Sequence, residues 1–141
     1  MAKLFSLNAS ERLKSRKLME RVFKNGTRWH KFPFRVSFLL DNDTEDGIIK
    51  FGCSAPIRNF KKAVDRNRVK RLMKEAFRLE KNLLAEQLKQ KNTRLIIFVI
   101  YTSPDLPKFE TIKTSMNELV LKLKDEIQKN EATLRPKPLN G

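Results

Sequence analysis

The run Leu95-Ile96-Ile97-Phe98-Val99-Ile100-Tyr101 constrains this chain more than any other feature. Its residues are apolar without alternation, so it should be a central strand buried on both faces. It is also far too short to cross a bilayer. A second strand announces itself by period two. Phe32, Phe34, Val36, Phe38 and Leu40 alternate with Pro33, Arg35, Ser37 and Leu39, which predicts a half-buried strand with an aromatic-rich inner face. The acidic turn Asp41-Asn42-Asp43-Thr44-Glu45-Asp46-Gly47 leads into a third, from Ile48 to Ser54, which Pro56 ends.

Helical signals flank these strands. Ser15 is a good N-cap and Asn25-Gly26 a stop, so a first helix is expected between them. Leu18 and Val22 make one i, i+4 pair, and Met19 and Phe23 a second pair further round. Either all four form one buried face, which the residues alone favour, or Met19 and Phe23 edge a groove. After the basic connection Ile57 to Val64, Asp65 is expected to cap a long helix. Its stripe of Val69, Leu72, Met73, Ala76, Phe77, Leu83 and Leu84 opposes Arg66, Lys70, Arg71, Lys74, Arg78 and Lys81. A last helix, from about Glu110 to Gln128, turns Ile112, Met116, Leu119, Val120, Leu123 and Ile127 inward. The order is helix, strand, strand, helix, strand, helix, with room for one more short strand around Ile57 to Ala63. That is an α+β sandwich occupying residues 1–129, followed by a basic tail, 130–141, containing Arg135-Pro136-Lys137-Pro138. At 141 residues, 40% of them hydrophobic, the chain is one globular domain.

Charge narrows the function. The formal net charge is +15, and between Arg58 and Lys81 ten Lys or Arg face three acids, a local net of +7. Those cations do not alternate with acids as on a helix held by ion pairs. They include Arg66 and Arg68 near the positive end of the helix and continue upstream through Arg58, Lys61 and Lys62. Such a surface is built to meet a polyanion, with Arg as a planar fork and Lys as a point charge for phosphate oxygens. Neutralising roughly six phosphates would give a log–log salt slope of about −4 to −5.

Catalytic equipment is sparse. Cys53 stands alone, which excludes an internal disulfide and a multi-Cys zinc site, and reads as a buried structural thiol. His30, the only histidine, is expected in a loop, without partners for a metal or a Cys–His pair. Asp41, Asp43, Glu45 and Asp46 read as a solvated hairpin tip rather than a metal cluster. The start of the chain, Met1 to Leu7, lacks the apolar core of a signal peptide, so a cytoplasmic protein is expected.

Arg66-Asn67-Arg68-Val69-Lys70-Arg71, followed by Lys74-Glu75-Ala76-Phe77-Arg78, resembles the signature of the bacterial ribonuclease P protein subunit. Similarity extends to Arg12-Leu13, to Val22-Phe23-Lys24-Asn25-Gly26, to Phe51-Gly52-Cys53-Ser54 and to Lys62-Ala63-Val64, covering about residues 12 to 128. The resemblance implies an α–β sandwich of order αβββαβα, of the ribosomal-protein-like type, with a left-handed βαβ crossover. General topology would favour the right-handed form by about fifty to one. It further implies a partner of a catalytic RNA that removes the 5′ leader from precursor tRNA. The chemistry would lie in that RNA and its Mg2+ ions, with no cofactor held by the protein, no obligate protein partner and no membrane.

Carried over by position, Arg66, Asn67, Arg68, Lys70, Arg71 and Lys74 would touch RNA, as would Arg78 and the upstream Arg58, Lys61 and Lys62. Met19, Phe23, Arg35 and Ser37 would line a cleft for the single-stranded leader, where Phe23 can stack on a base. The resemblance thus favours the groove arrangement of the first helix. Three departures stand out. Met19 occupies a place where the family often has Phe. Arg35 and Ser37 replace apolar or aromatic residues, and the stretch Arg58 to Lys62 is about a residue longer than the commonest form. Rival readings are a ribosomal or assembly RNA-binding protein of similar fold, a nuclease acting alone, and a major-groove DNA reader. The nuclease would need carboxylates or histidines on rigid elements, and the DNA reader would favour duplex DNA.

Overall fold

In the computed structural model, which describes residues 11–45 and 47–129, a four-stranded sheet carries helices on both faces. The elements are α1 (Arg16–Asn25), β1 (Thr27–Lys31), β2 (Phe34–Asp41), β3 (Ile49–Ser54), α2 (Ala63–Glu80), α3 (Asn82–Gln90), β4 (Arg94–Tyr101) and α4 (Phe109–Lys129). The strand order is β1-β2-β4-β3, with β3 and β4 parallel and the other pairs antiparallel. The Leu95 to Tyr101 run is therefore interior, as its unbroken hydrophobicity predicts. The basic tail, 130–141, and the segment Met1 to Leu7 lie outside the described residues, as does Asp46.

One face of the sheet is fully covered. Phe34, Val36 and Phe38 of β2 pack with Leu95, Ile97, Val99 and Tyr101 of β4 and with Ile49 and Phe51 of β3. Over them lie Val69, Met73, Ala76 and Phe77 of α2, Leu84 and Leu88 of α3, and all six predicted inner residues of α4. Phe77 stacks on Phe51 at 4.2 Å between ring centroids. On the opposite face, among the described residues, α1 is the one helix, and its Val22 joins Leu13 and Ile96 in a small second core.

The short strand sits elsewhere than its expected place. Residues Thr27–Lys31 form β1, and His30 lies in it rather than in a loop. Trp29 anchors β1, its ring against Phe38 at 4.6 Å and Lys122 above it. An edge strand with one inward aromatic has too little alternation to stand out. The 57–63 region instead turns tightly, with the amides of Asn59 and Phe60 both donating to Pro56 O. Phe32, read as the first inward residue of β2, lies in the β1–β2 turn and is 77% exposed.

Two helix details also differ. The N-cap of α2 is Lys62, and Asp65 occupies the first turn, where it still opposes the helix dipole. The helix starts earlier because the Asp65 and Arg66 amides both find Lys62 O. The long basic helix is interrupted at Lys81, where the Leu84 amide bonds back three residues to Lys81 O at 2.9 Å, a 3₁₀-like tightening. Gly26 ends α1 with extended backbone rather than a left-handed turn. Glycine is required there by space, since a Cβ would lie 2.4 Å from Val22 O and 2.6 Å from Phe38 O.

The hand of the β3–α2–α3–β4 crossover follows from stereochemistry. For an L-residue whose side chain faces the viewer on a strand running upward, the N–H and C=O point right. Leu95 faces the helix-covered side, and its N–H donates to Ile48 O next to β3. Seen from the helices, β3 therefore lies to the right of β4, and the connection moves leftward. The crossover is left-handed, against the general rule. It puts the C-terminal ends of β3 and β4 and the start of α2 at one end of the sheet.

Candidate nucleic-acid interface

The basic helix presents its cations unevenly. Asn67, Arg68, Arg71 and Lys74 are exposed, as are Arg58, Lys61 and Lys62 in the preceding loop. Arg66 is half-buried and partly engaged within the protein, its guanidinium donating to Phe60 O at 2.9 Å and Lys61 O at 3.0 Å. Those bonds brace the loop, as does Phe60, which is buried against Tyr101 with centroids 6.0 Å apart. Arg78 turns onto Glu75, its Nε donating to Oε1 at 3.1 Å, so its fork faces along the helix. Lys70 is half-buried above Cys53, whose Sγ donates to Lys70 O at 3.7 Å. Burial pushes the Cys53 thiol up to about 11 against the opposing charges of Lys74 and Lys70, which fits a structural thiol.

The second surface lies on the α1 face. Strand register sets it out in rows: His30, Arg35, Ile100 and Ser54 in one, and Arg28, Ser37, Phe98 and Gly52 in the next. α1 covers only part of these rows. Phe23 meets Phe98 edge-on at 5.1 Å and stays 38% exposed, while Met19 is half-buried. The groove arrangement of α1 is thus the one the chain adopts. Arg35 is exposed in the open row, whereas Ser37 is buried, so of the two polar departures only Arg35 is presented to solvent. Arg28 donates to Phe23 O at 2.7 Å and ties β1 to the end of α1.

Sequence reasoning missed Phe98, Ile100, Arg28 and His30 as neighbours of Phe23 and Arg35. The unbroken apolar run hid Phe98 and Ile100, which are half-buried because α1 does not reach across them. The Gly52 position was the available signal. A Cβ there would sit 2.8 Å from the Phe98 ring and 3.2 Å from Leu13 Cβ, so glycine makes room for the aromatic floor.

One end of the cleft is closed by charge. Arg94, only 4% exposed, donates from Nε and Nη2 to Asp41 at 2.9 and 2.7 Å, and Arg21 of α1 reaches the same carboxylate at 3.1 Å. Asp41 is therefore a structural anchor rather than part of a solvated tip. Burial alone would raise its pKa. Hydrogen bonds and charge from Arg94, the Asp43 N–H and Arg21 outweigh that, and the carboxyl is held below its ordinary value. Among the described residues, no three His, Cys, Asp or Glu side chains form a group able to hold a metal ion, and no helix is long and apolar enough to cross a membrane.

Comparison with known proteins agrees with this geometry. The family model described as Ribonuclease P matches residues 7–124. The chain is 34% identical over 119 residues to the ribonuclease P protein component of Porphyromonas gingivalis, covering 84% of this chain and 87% of that one. It is 30% identical over 98 residues to the corresponding protein of Desulfotalea psychrophila, covering 70% and 73%. The solved structure of the Staphylococcus aureus RNase P protein superposes with a TM-score of 0.62 at 26% identity, covering 80% of this chain and 94% of that one. Fold, signature helix and matched length agree, and the chain belongs to the ribonuclease P protein family.

Proposed function

We infer that this chain is the protein subunit of ribonuclease P, acting with a catalytic RNA to remove the 5′ leader of precursor tRNA. Family membership carries that activity, and the activity belongs to the holoenzyme. The exposed Asn67, Arg68, Arg71 and Lys74, with Arg58, Lys61 and Lys62, would lie against the RNA subunit. Phe23, Phe98 and Arg35 would hold the unpaired leader, two rings for bases and a guanidinium for phosphate. The observation that carries this division is the pair of unlike surfaces on opposite faces of one sheet. Mg2+ would be held mainly by RNA, and the working compartment would be the cytoplasm.

The test is cleavage of a precursor tRNA at low magnesium by ribonuclease P RNA alone, by the protein alone, and by both. Cleavage at the mature 5′ end only in the mixture is expected. Cleavage by the pure protein would return the reading to a self-sufficient nuclease. An absence of stimulation by folded, RNA-binding protein would make it an RNA-binding relative with another task.

A further inference from the structure

Eight large hydrophobic side chains stand out among the described residues as exposed, and four of them gather at one end of the sheet. They are Phe32 in the β1–β2 turn, Ile57 after β3, Val64 in the first turn of α2, and Leu106 after β4. Phe32 is the most exposed of the eight, at 77%. It belongs to a braced segment. The Thr102 amide and hydroxyl both donate to Pro33 O, at 2.8 and 3.0 Å, and Asn59 Nδ2 donates to Thr102 O at 3.3 Å. This chain of hydrogen bonds ties the hairpin tip to the end of β4 and to the loop that carries Arg58.

The same turn continues the cleft. Along β2, the row of Ser37 and Phe98 gives way to the row of Arg35 and His30, and then to the turn. That is roughly 10 Å of strand beyond the Phe23–Phe98 pair, at the end away from the closing Asp41–Arg94 pair. An aromatic ring left in water, in the turn that adjoins the row of exposed Arg35 and His30, has the chemistry of a stacking platform for unpaired RNA.

We propose that Phe32 is a second base-stacking residue, receiving an upstream nucleotide of the leader after the strand has passed Phe23 and Phe98. The occupant is single-stranded RNA because exposed Arg35 stands in the adjoining row and the turn lies at the open end of the cleft. The inference rests on the leader reading proposed above. It makes binding depend on leader length in two steps, one set by Phe23 and a longer one set by Phe32.

The test uses reconstituted holoenzyme and precursor tRNAs whose leaders are shortened one nucleotide at a time. Phe32→Ala should weaken binding of long-leader substrates about five- to tenfold. It should have no effect below a threshold leader length, and that threshold should exceed the one for Phe23→Ala. Phe32→Trp should restore binding, and both Phe32 variants should show the wild-type thermal transition. Equal losses at every leader length, or no loss at any, would overturn the proposal. So would weakened assembly with the RNA subunit in the absence of substrate, which would assign the ring to that RNA. If Phe23→Ala shows leader-length dependence while Phe32→Ala does not, the leader reading stands and only this inference falls.

Discussion

The two faces of the sheet differ in how completely they are covered, and that difference separates what holds the protein together from what it presents. Behind α2, α3 and α4, alternate residues of β2, β3 and β4 are sealed into one core. On the α1 side, the intervening residues of the same strands form a small core around Val22 and Ile96, and then open into rows with Arg28, His30 and Arg35 exposed. One residue of register separates Val99, fully buried, from Phe98, which floors the cleft. A strand can therefore seal one set of side chains into the core and leave the next set open to solvent.

The comparison breaks first in stability. Phe77→Ala removes a fully buried ring stacked on Phe51 and should cost about 3–5 kcal/mol in denaturant unfolding. Phe98→Ala, on the other face, should cost less than half as much and weaken long-leader substrates instead. Equal stability losses would mean that the cleft is simply core.

Asp41→Asn comes next, because it removes the carboxylate that accepts two hydrogen bonds from buried Arg94 and leaves Asp43 at 3.9 Å as the nearby acid, at a cost of about 2 kcal/mol. The pH dependence has a definite sign. The folded pKa of Asp41 lies below its ordinary 3.8, so the carboxylate's contribution is complete above that value and vanishes as pH falls through the folded pKa. The stability gap between wild type and Asp41→Asn should therefore be full near neutral pH and close in acid. A gap that persists in strong acid would show that the charge of Asp41 is not what anchors that end of the cleft.

Gly52→Ala sharpens the contrast at smaller scale. Its new methyl must displace the Phe98 ring, costing about 1–2 kcal/mol and shifting leader affinity while assembly with the RNA subunit is unchanged. The smallest effect belongs to Cys53→Ser, which lies beneath α2 and keeps a donor for Lys70 O. With its pKa raised to about 11, the wild-type thiol should react slowly with alkylating probes at neutral pH. Rapid labelling would show that α2 lifts from β3.

Much of this arrangement is legible in the residues. Central β4, α1 with its Ser15 cap, the face of α4 and the basic stripe of α2 all follow from periodicity and end signals. What periodicity does not carry is pairing. β1 gains its place from bonds to β2 rather than from its own pattern, so Thr27–Lys31 carries no strand signal, while the 57–63 loop has room for a strand it does not form. The cleft rows arise from register across four strands, which no single segment contains. Arg66 and Arg78 show the same limit. Both belong to the charge pattern, yet each turns its guanidinium to a partner within the protein.

The most direct measurement of the two-surface account crosses Arg68→Ala with Phe98→Ala in reconstituted holoenzyme. For each variant, RNA-subunit affinity is measured alongside the binding difference between long-leader and leaderless precursor tRNA. Arg68→Ala should weaken assembly and leave the leader-dependent difference intact. Phe98→Ala should do the reverse, and the double variant should show both losses additively. Loss of leader dependence in Arg68→Ala, or of assembly in Phe98→Ala, would contradict the separation of the two faces.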